Sequence, residues 1–196
     1  MGRPTLFVVR HGQTDWNAQY RLQGQRDIPL NDTGRSQARA NGLRLKREIG
    51  AARGFRFLAS PLGRTRETMD IIRREMGLPN GGYETDMRIL EVSFGRWEGY
   101  TFQELKVDNR EAVAARRADK WNYVPPGGES YAMLKERVRG WFDYLEQDHV
   151  IVAHGGILRV LRHMVEGVAQ DEIARTAIPQ DRIYRIDAEG GRWLDD

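Results

Sequence analysis

The chain has 196 residues, of which 40% are apolar and 30% charged, with a formal net charge of +3. That is enough for one ordinary domain over residues 1–196 with a single sizeable core, and the basic bias is too slight to imply a nucleic-acid partner. There is no cysteine, which excludes disulfides, thiolate catalysis and Cys-containing zinc sites.

The only apolar stretch near the start, Leu6 to Val9, is far shorter than a signal segment or membrane span, so a cytoplasmic protein without membrane association is expected. That same run is rich in β-branched and aromatic residues and reads as a buried central strand. Asn31 is a good N-cap for a helix that reaches Ile49 and is closed by Gly50. Phe55 to Ala59 reads as a second strand, and Ser60-Pro61 opens a helix carrying Met69, Ile72 and Met76 before Gly77 and Pro79 stop it. Tyr83 to Ile89 is compatible with a strand, Leu90 to Tyr100 with a structured loop, and Phe102 to Ala118 with a polar helix. After the break at Pro125-Pro126-Gly127-Gly128, Ser130 caps a helix with Leu134, Val138, Trp141 and Leu145 on one face. Val150 to Ala153 is another buried strand, Gly156 to Val165 a helix, and Arg182 to Ile186 an alternating, half-buried edge strand. This alternation predicts a three-layer α/β/α domain with a mainly parallel central sheet, whose ligands sit beyond the carboxyl ends of the strands.

Two strands end in glycine turns that carry histidine: Arg10-His11-Gly12 and His154-Gly155-Gly156. Each histidine taken singly is as well explained by backbone hydrogen bonding at a strand end. The polar loop Gln13, Thr14, Asp15 and Asn17 behind His11 is nevertheless suited to surround an anion. Arg64 lies in the first turn of a helix, where a cation opposes the helix dipole unless a bound anion compensates it. With 27 arginines and four lysines, arginine is the default cation here, and position carries more weight than residue type. Glu91 lies in a loop whose Phe94 and Trp97 are able to exclude water from a carboxyl and so suit it to proton donation, although a surface partner for one of the many arginines is the simpler reading. His149 and His163 have no such surroundings and are assigned to structure or solvent.

Taken in order, these segments resemble the histidine phosphatase superfamily, the group that includes cofactor-dependent phosphoglycerate mutases. The resemblance rests on Val9-Arg10-His11-Gly12-Gln13-Thr14-Asp15-Trp16-Asn17, Arg21-Leu22-Gln23-Gly24, Leu30-Asn31-Asp32-Thr33-Gly34 and Ser60-Pro61-Leu62-Gly63-Arg64-Thr65. Further on it rests on Glu91 with Phe94-Gly95-Arg96-Trp97-Glu98-Gly99, on Gly127-Gly128-Glu129-Ser130 and on Ala153-His154-Gly155-Gly156. It implies His11 as nucleophile, Arg10, Arg64 and His154 as holders of the phosphoryl oxygens, Glu91 as proton donor, and Asn17, Gln23, Gly24 and Gly155 as substrate-binding positions. No metal and no cofactor is implied; the expected partners are a small phosphorylated substrate and inorganic phosphate. Gly63 and Gln180 depart from the family pattern, and both are expected to lie outside the chemical core.

The alternatives are a phosphomonoester hydrolase, a cofactor-dependent phosphoglycerate mutase and a non-catalytic phosphate-ligand module. The short, cap-like insertion around 101–126 favours hydrolysis, because mutases resembling this chain carry a longer one that excludes water. Arg116-Arg117 is similar to a mutase pair, but the residues after it do not continue that pattern. Arg96, Trp97, Tyr100, Trp121 and Tyr123 are expected to wall the pocket. No heptad stripe or apolar patch specifies an oligomer.

Overall fold

A computed structural model of the chain describes residues 2–194. Strand β1 (Leu6–Arg10) alternates its side chains between two apolar layers: Leu6 and Val8 enter one, Phe7 and Val9 the other. A strand buried on both faces has no polar side to offer, which is why this run is continuously apolar. The first layer continues through Leu134, Val138 and Trp141 of α6 (Tyr131–Phe142) and Ile157, Leu158 and Leu161 of α7 (Gly155–Glu166). The second is closed by Leu45 of α2 (Asp32–Ile49) and by Met69 and Ile72 of α3 (Gly63–Glu75).

Six strands form one sheet in the order β3-β2-β4-β1-β5-β6. The pairings β1 with β4 (His149–Ala153), β4 with β2 (Arg56–Ala59) and β2 with β3 (Glu84–Thr85) are parallel, as the sequence pattern requires. Their register gathers the strand-end residues. Arg10 lies opposite Ala153 and Ala59 opposite Val152, so His11, His154 and Ser60 leave the sheet at the same end of three adjacent strands.

Three elements differ from expectation. The strand expected over Tyr83 to Ile89 shrinks to the two residues of β3, because the Asp86 side chain accepts from the Arg88 N–H and starts a 3-10 turn over Met87–Ile89. The helix expected over Phe102 to Ala118 divides into α4 (Phe102–Asp108) and α5 (Arg110–Ala118) at Asn109, whose φ of −132° and ψ of 37° are not helical. Arg182 to Ile186 is not an edge: β5 (Ile183–Asp187) lies between β1 and the antiparallel β6 (Gly190–Trp193), whose two glycines conceal it in the sequence. No helix among the described residues is long and apolar enough to cross a membrane.

Candidate active site

His11 is almost wholly buried at the carboxyl end of β1, and its two ring nitrogens face different groups. Nδ1 lies 2.8 Å from the Gly12 carbonyl oxygen, and Nε2 accepts from Arg64 Nε at 3.3 Å. An acceptor at Nε2 requires the proton on Nδ1, so the carbonyl fixes the tautomer and leaves the Nε2 lone pair facing a guanidinium. The turn is tight enough to need glycine. A Cβ on Gly12 would fall on the Gly34 carbonyl of α2, which lies against the loop.

Arg64 is buried in the first turn of α3 and spans the site. Its Nη1 donates to the Arg26 carbonyl at 2.6 Å, and its Nη2 to the Gly24 carbonyl at 2.8 Å and His154 Nδ1 at 3.4 Å. The N-cap Leu62 has no side chain to offer α3, and Asp27 substitutes for it by accepting from the Gly63 N–H at 2.7 Å. A Cβ on Gly63 would approach that carboxylate to 2.9 Å, so glycine lets Asp27 sit close against the start of α3. His154 donates from Nε2 to Ser60 Oγ at 2.7 Å, the assignment consistent with an Nδ1 that accepts from Arg64. The two imidazole rings stand 5.2 Å apart.

Arg10 donates from Nη1 to the Ile178 carbonyl at 2.6 Å, while its Nε is buried without a partner among the described residues. Burial first, then the neighbouring Arg159, lowers its pKa to about 10, which leaves it charged at neutral pH. Glu91 accepts from the Val92 N–H at 2.9 Å and from the Gly156 N–H, at the start of α7, at 3.0 Å; a Cβ on Gly156 would collide with that carboxylate. Asn17 spends Oδ1 on the Thr14 N–H and on Gln180 Nε2, which leaves its amide NH2 as the group available to a ligand. Gln23 is buried with Oε1 unpartnered, and Gly155 packs beside Arg10 and Arg159. All nine residues singled out in the sequence thus surround the carboxyl ends of β1, β2 and β4.

The family model described as the histidine phosphatase superfamily (branch 1) matches residues 6–194. The chain belongs to the histidine phosphatase superfamily. A 2,3-bisphosphoglycerate-dependent phosphoglycerate mutase of Brucella melitensis is 32% identical over 201 residues, covering 94% of this chain and 93% of that one. Among solved structures, a mycobacterial glucosyl-3-phosphoglycerate phosphatase superposes with a TM-score of 0.74 at 27% identity, over 98% of this chain and 97% of that one. The alpha-ribazole phosphatase of Shigella flexneri superposes at 0.79 and 24% identity, over 93% and 90%, and supports the fold.

Within this superfamily member, three expectations need correction. Gln180 does touch the core: its Nε2 donates to the His11 carbonyl at 3.0 Å and to Asn17 Oδ1 at 3.1 Å. Trp97 and Trp121 do not wall the pocket. Both are buried, Trp97 stacked on Tyr123 and Trp121 on Tyr131, because large aromatic surface is worth more in a core than at a wet rim. Arg96 and Tyr100 line a different cavity; the open pocket of about 630 Å³ that contains Arg10 and Asn17 is bounded instead by Tyr20, Arg21, Phe102 and Gln180. Asp27 on the Gly63 N–H and Ser60 on His154 have no signal in the local sequence pattern beyond the place of Ser60 at the head of the Arg64 block.

Burial, then Arg64, holds both His11 and His154 well below the ordinary imidazole value, so both are neutral in the folded protein. In the unfolded chain they titrate near 6.5, and acidification below that value protonates the unfolded state first. A group depressed in the native state therefore lowers stability as pH falls, by about 1 kcal/mol for each histidine between pH 6.5 and 5.5, or roughly 2 for the pair. Urea unfolding between pH 6.5 and 5.5 is expected to show this slope in wild type and about half of it in His154→Asn. A flat wild-type profile would mean that the folded histidines titrate as they do in the unfolded chain, and a stability that rises on acidification would mean that they are already charged.

Proposed function

We propose that the protein is a phosphomonoester hydrolase that takes the phosphoryl group of a small phosphorylated substrate onto His11 Nε2 and hands it to water, without a metal ion. The observation that carries this is the state of His11: neutral, tied at Nδ1 to the Gly12 carbonyl, with its Nε2 lone pair against the Arg64 guanidinium. A neutral imidazole so fixed attacks phosphorus in line, while Arg10 and Arg64 donate to the equatorial oxygens on which transition-state charge spreads. The Nε2–P bond forms as the bond to the leaving oxygen breaks, and Glu91 supplies that oxygen with a proton. Glu91, now a carboxylate, takes a proton from the water that attacks the phosphohistidine; inorganic phosphate leaves and His11 is restored. His154 joins as a cation once the incoming phosphate dianion raises its proton affinity.

Arg116 favours water over a second substrate as acceptor. Its guanidinium lies over the rings of Phe94 and Phe102, at 5.5 and 5.1 Å, and with Arg117 it lines a cavity other than the one that holds Arg10. The arginine pair that resembles a mutase feature therefore lines the neighbouring cavity, on the far side of Phe102 from Arg10 and Asn17. Hydrolysis of para-nitrophenyl phosphate in the presence of EDTA, with a bisphosphoglycerate-dependent mutase assay alongside, tests the reading: EDTA-resistant hydrolysis without mutase activity supports it, and mutase activity without hydrolysis overturns it.

Glu91→Gln is expected to slow hydrolysis of alkyl phosphates, whose leaving oxygen needs a proton, by about 10²–10⁴ and aryl phosphates with acidic leaving groups much less. Equal losses across a leaving-group series would remove Glu91 from the acid role.

A further inference from the structure

Behind Phe102 lies a second cavity, of about 280 Å³, between α4, α5 and α8 (Gln170–Arg175). Its walls carry Lys106 from α4, Arg116 and Arg117 from α5, Lys120 just beyond α5 and Arg175 from α8, and no carboxylate. None of these five cations makes an ion pair among the described residues. Two acids close by in the chain are engaged elsewhere, Glu104 with Arg21 at 2.8 Å and Asp119 with the Asn122 amide at 3.0 Å. Arg159 of α7 adds a sixth charge from the core side. The cavity shares only Phe102 with the catalytic pocket.

We propose that this cleft is a second anion-binding site, separate from the catalytic pocket and suited to a compact polyanion of the pyrophosphate kind. Five like charges converging on one concavity repel one another; Arg116 rests on the rings of Phe94 and Phe102 and Arg175 donates to the Arg117 carbonyl at 3.1 Å, but no carboxylate among the lining residues neutralises them. A surface that merely needs solubility intersperses both signs. The consequence is visible at Lys120, which makes no hydrogen bond or ion pair among the described residues; burial, then Arg159, Arg116 and Arg175, lowers its pKa to about 7. A bound anion would restore its proton. The volume of about 280 Å³ leaves room for a small polyanion of that class. Two tetrahedral phosphoryl groups also present enough oxygens to engage guanidinium forks from α5 and α8 together with the Lys120 ammonium.

The site does not depend on the hydrolytic reading, and calorimetry tests it on the whole protein with methylenebisphosphonate, which lacks a hydrolysable bridge. The titrations are made in the Arg64→Ala background, which disables the catalytic clamp and leaves the cleft intact. Adding Lys120→Met, or separately Arg175→Gln at an exposed position where folding is not at risk, is expected to weaken binding at least about tenfold. At pH 8, binding is expected to take up a proton, read from its dependence on buffer ionisation heat, and Lys120→Met is expected to abolish that uptake. Lys120→Met alone is expected to retain para-nitrophenyl phosphate hydrolysis, whose absence from every variant would count against the hydrolytic reading while the calorimetry still reports on the cleft. Failure of the Arg64→Ala protein to bind, or binding indifferent to both substitutions, would overturn the proposal.

Discussion

His11→Asn is expected to lower kcat for para-nitrophenyl phosphate by at least about 10⁴-fold, the loss typical when a covalent nucleophile is removed. Asparagine places an amide N–H close to where Nδ1–H meets the Gly12 carbonyl, so the turn keeps its hydrogen bond and the neutral side chain adds no buried charge. What disappears is the Nε2 lone pair. Rapid quenching of wild type during turnover should trap an acid-labile phosphoryl group on the protein, and the variant should trap none. A variant that kept a tenth of wild-type activity would place the nucleophile elsewhere and overturn the covalent mechanism.

Arg64→Ala is expected to lower kcat by about 10²–10³ and to weaken competitive inhibition by inorganic phosphate by at least about tenfold. The guanidinium joins His11 Nε2, the Gly24 and Arg26 carbonyls and His154 Nδ1 at one centre, and the loss of a planar fork removes all of these at once. Arg64→Lys should recover little. A lysine is a point charge and is unable to reach His11 while also holding two carbonyls on the opposite side. Phosphate inhibition unchanged in Arg64→Ala would take this residue out of the anion clamp.

The fold class and the neighbourhood of the site were legible in the chain because both are written in local pattern. A continuous apolar run such as Leu6 to Val9 is required of any strand buried on two faces, and parallel strands release their ligand-binding loops at one end. Histidines placed just after two such runs are thus brought together by the sheet itself, and the observed register of β1 with β4 does so. Where local pattern was weak, the expectation failed. Asn109 interrupts a helical stretch by a single backbone conformation, and β6, with glycine at both of its first two positions, has no alternation to read.

The sequence by itself therefore determined the α/β layering, the strand-end histidines and the residues that surround them. The tertiary structure alone decided how those residues are held: Asp27 at the start of α3, Ser60 on His154, Gln180 on the His11 carbonyl. It also placed Arg116 and Arg117 on a second cavity and gathered cations from α4, α5 and α8 around Lys120. The reason is physical. Periodicity reports which face of an element is buried, whereas these contacts join positions from 36 to 169 residues apart, and their geometry exists only once sheet register and helix packing have brought the elements into place.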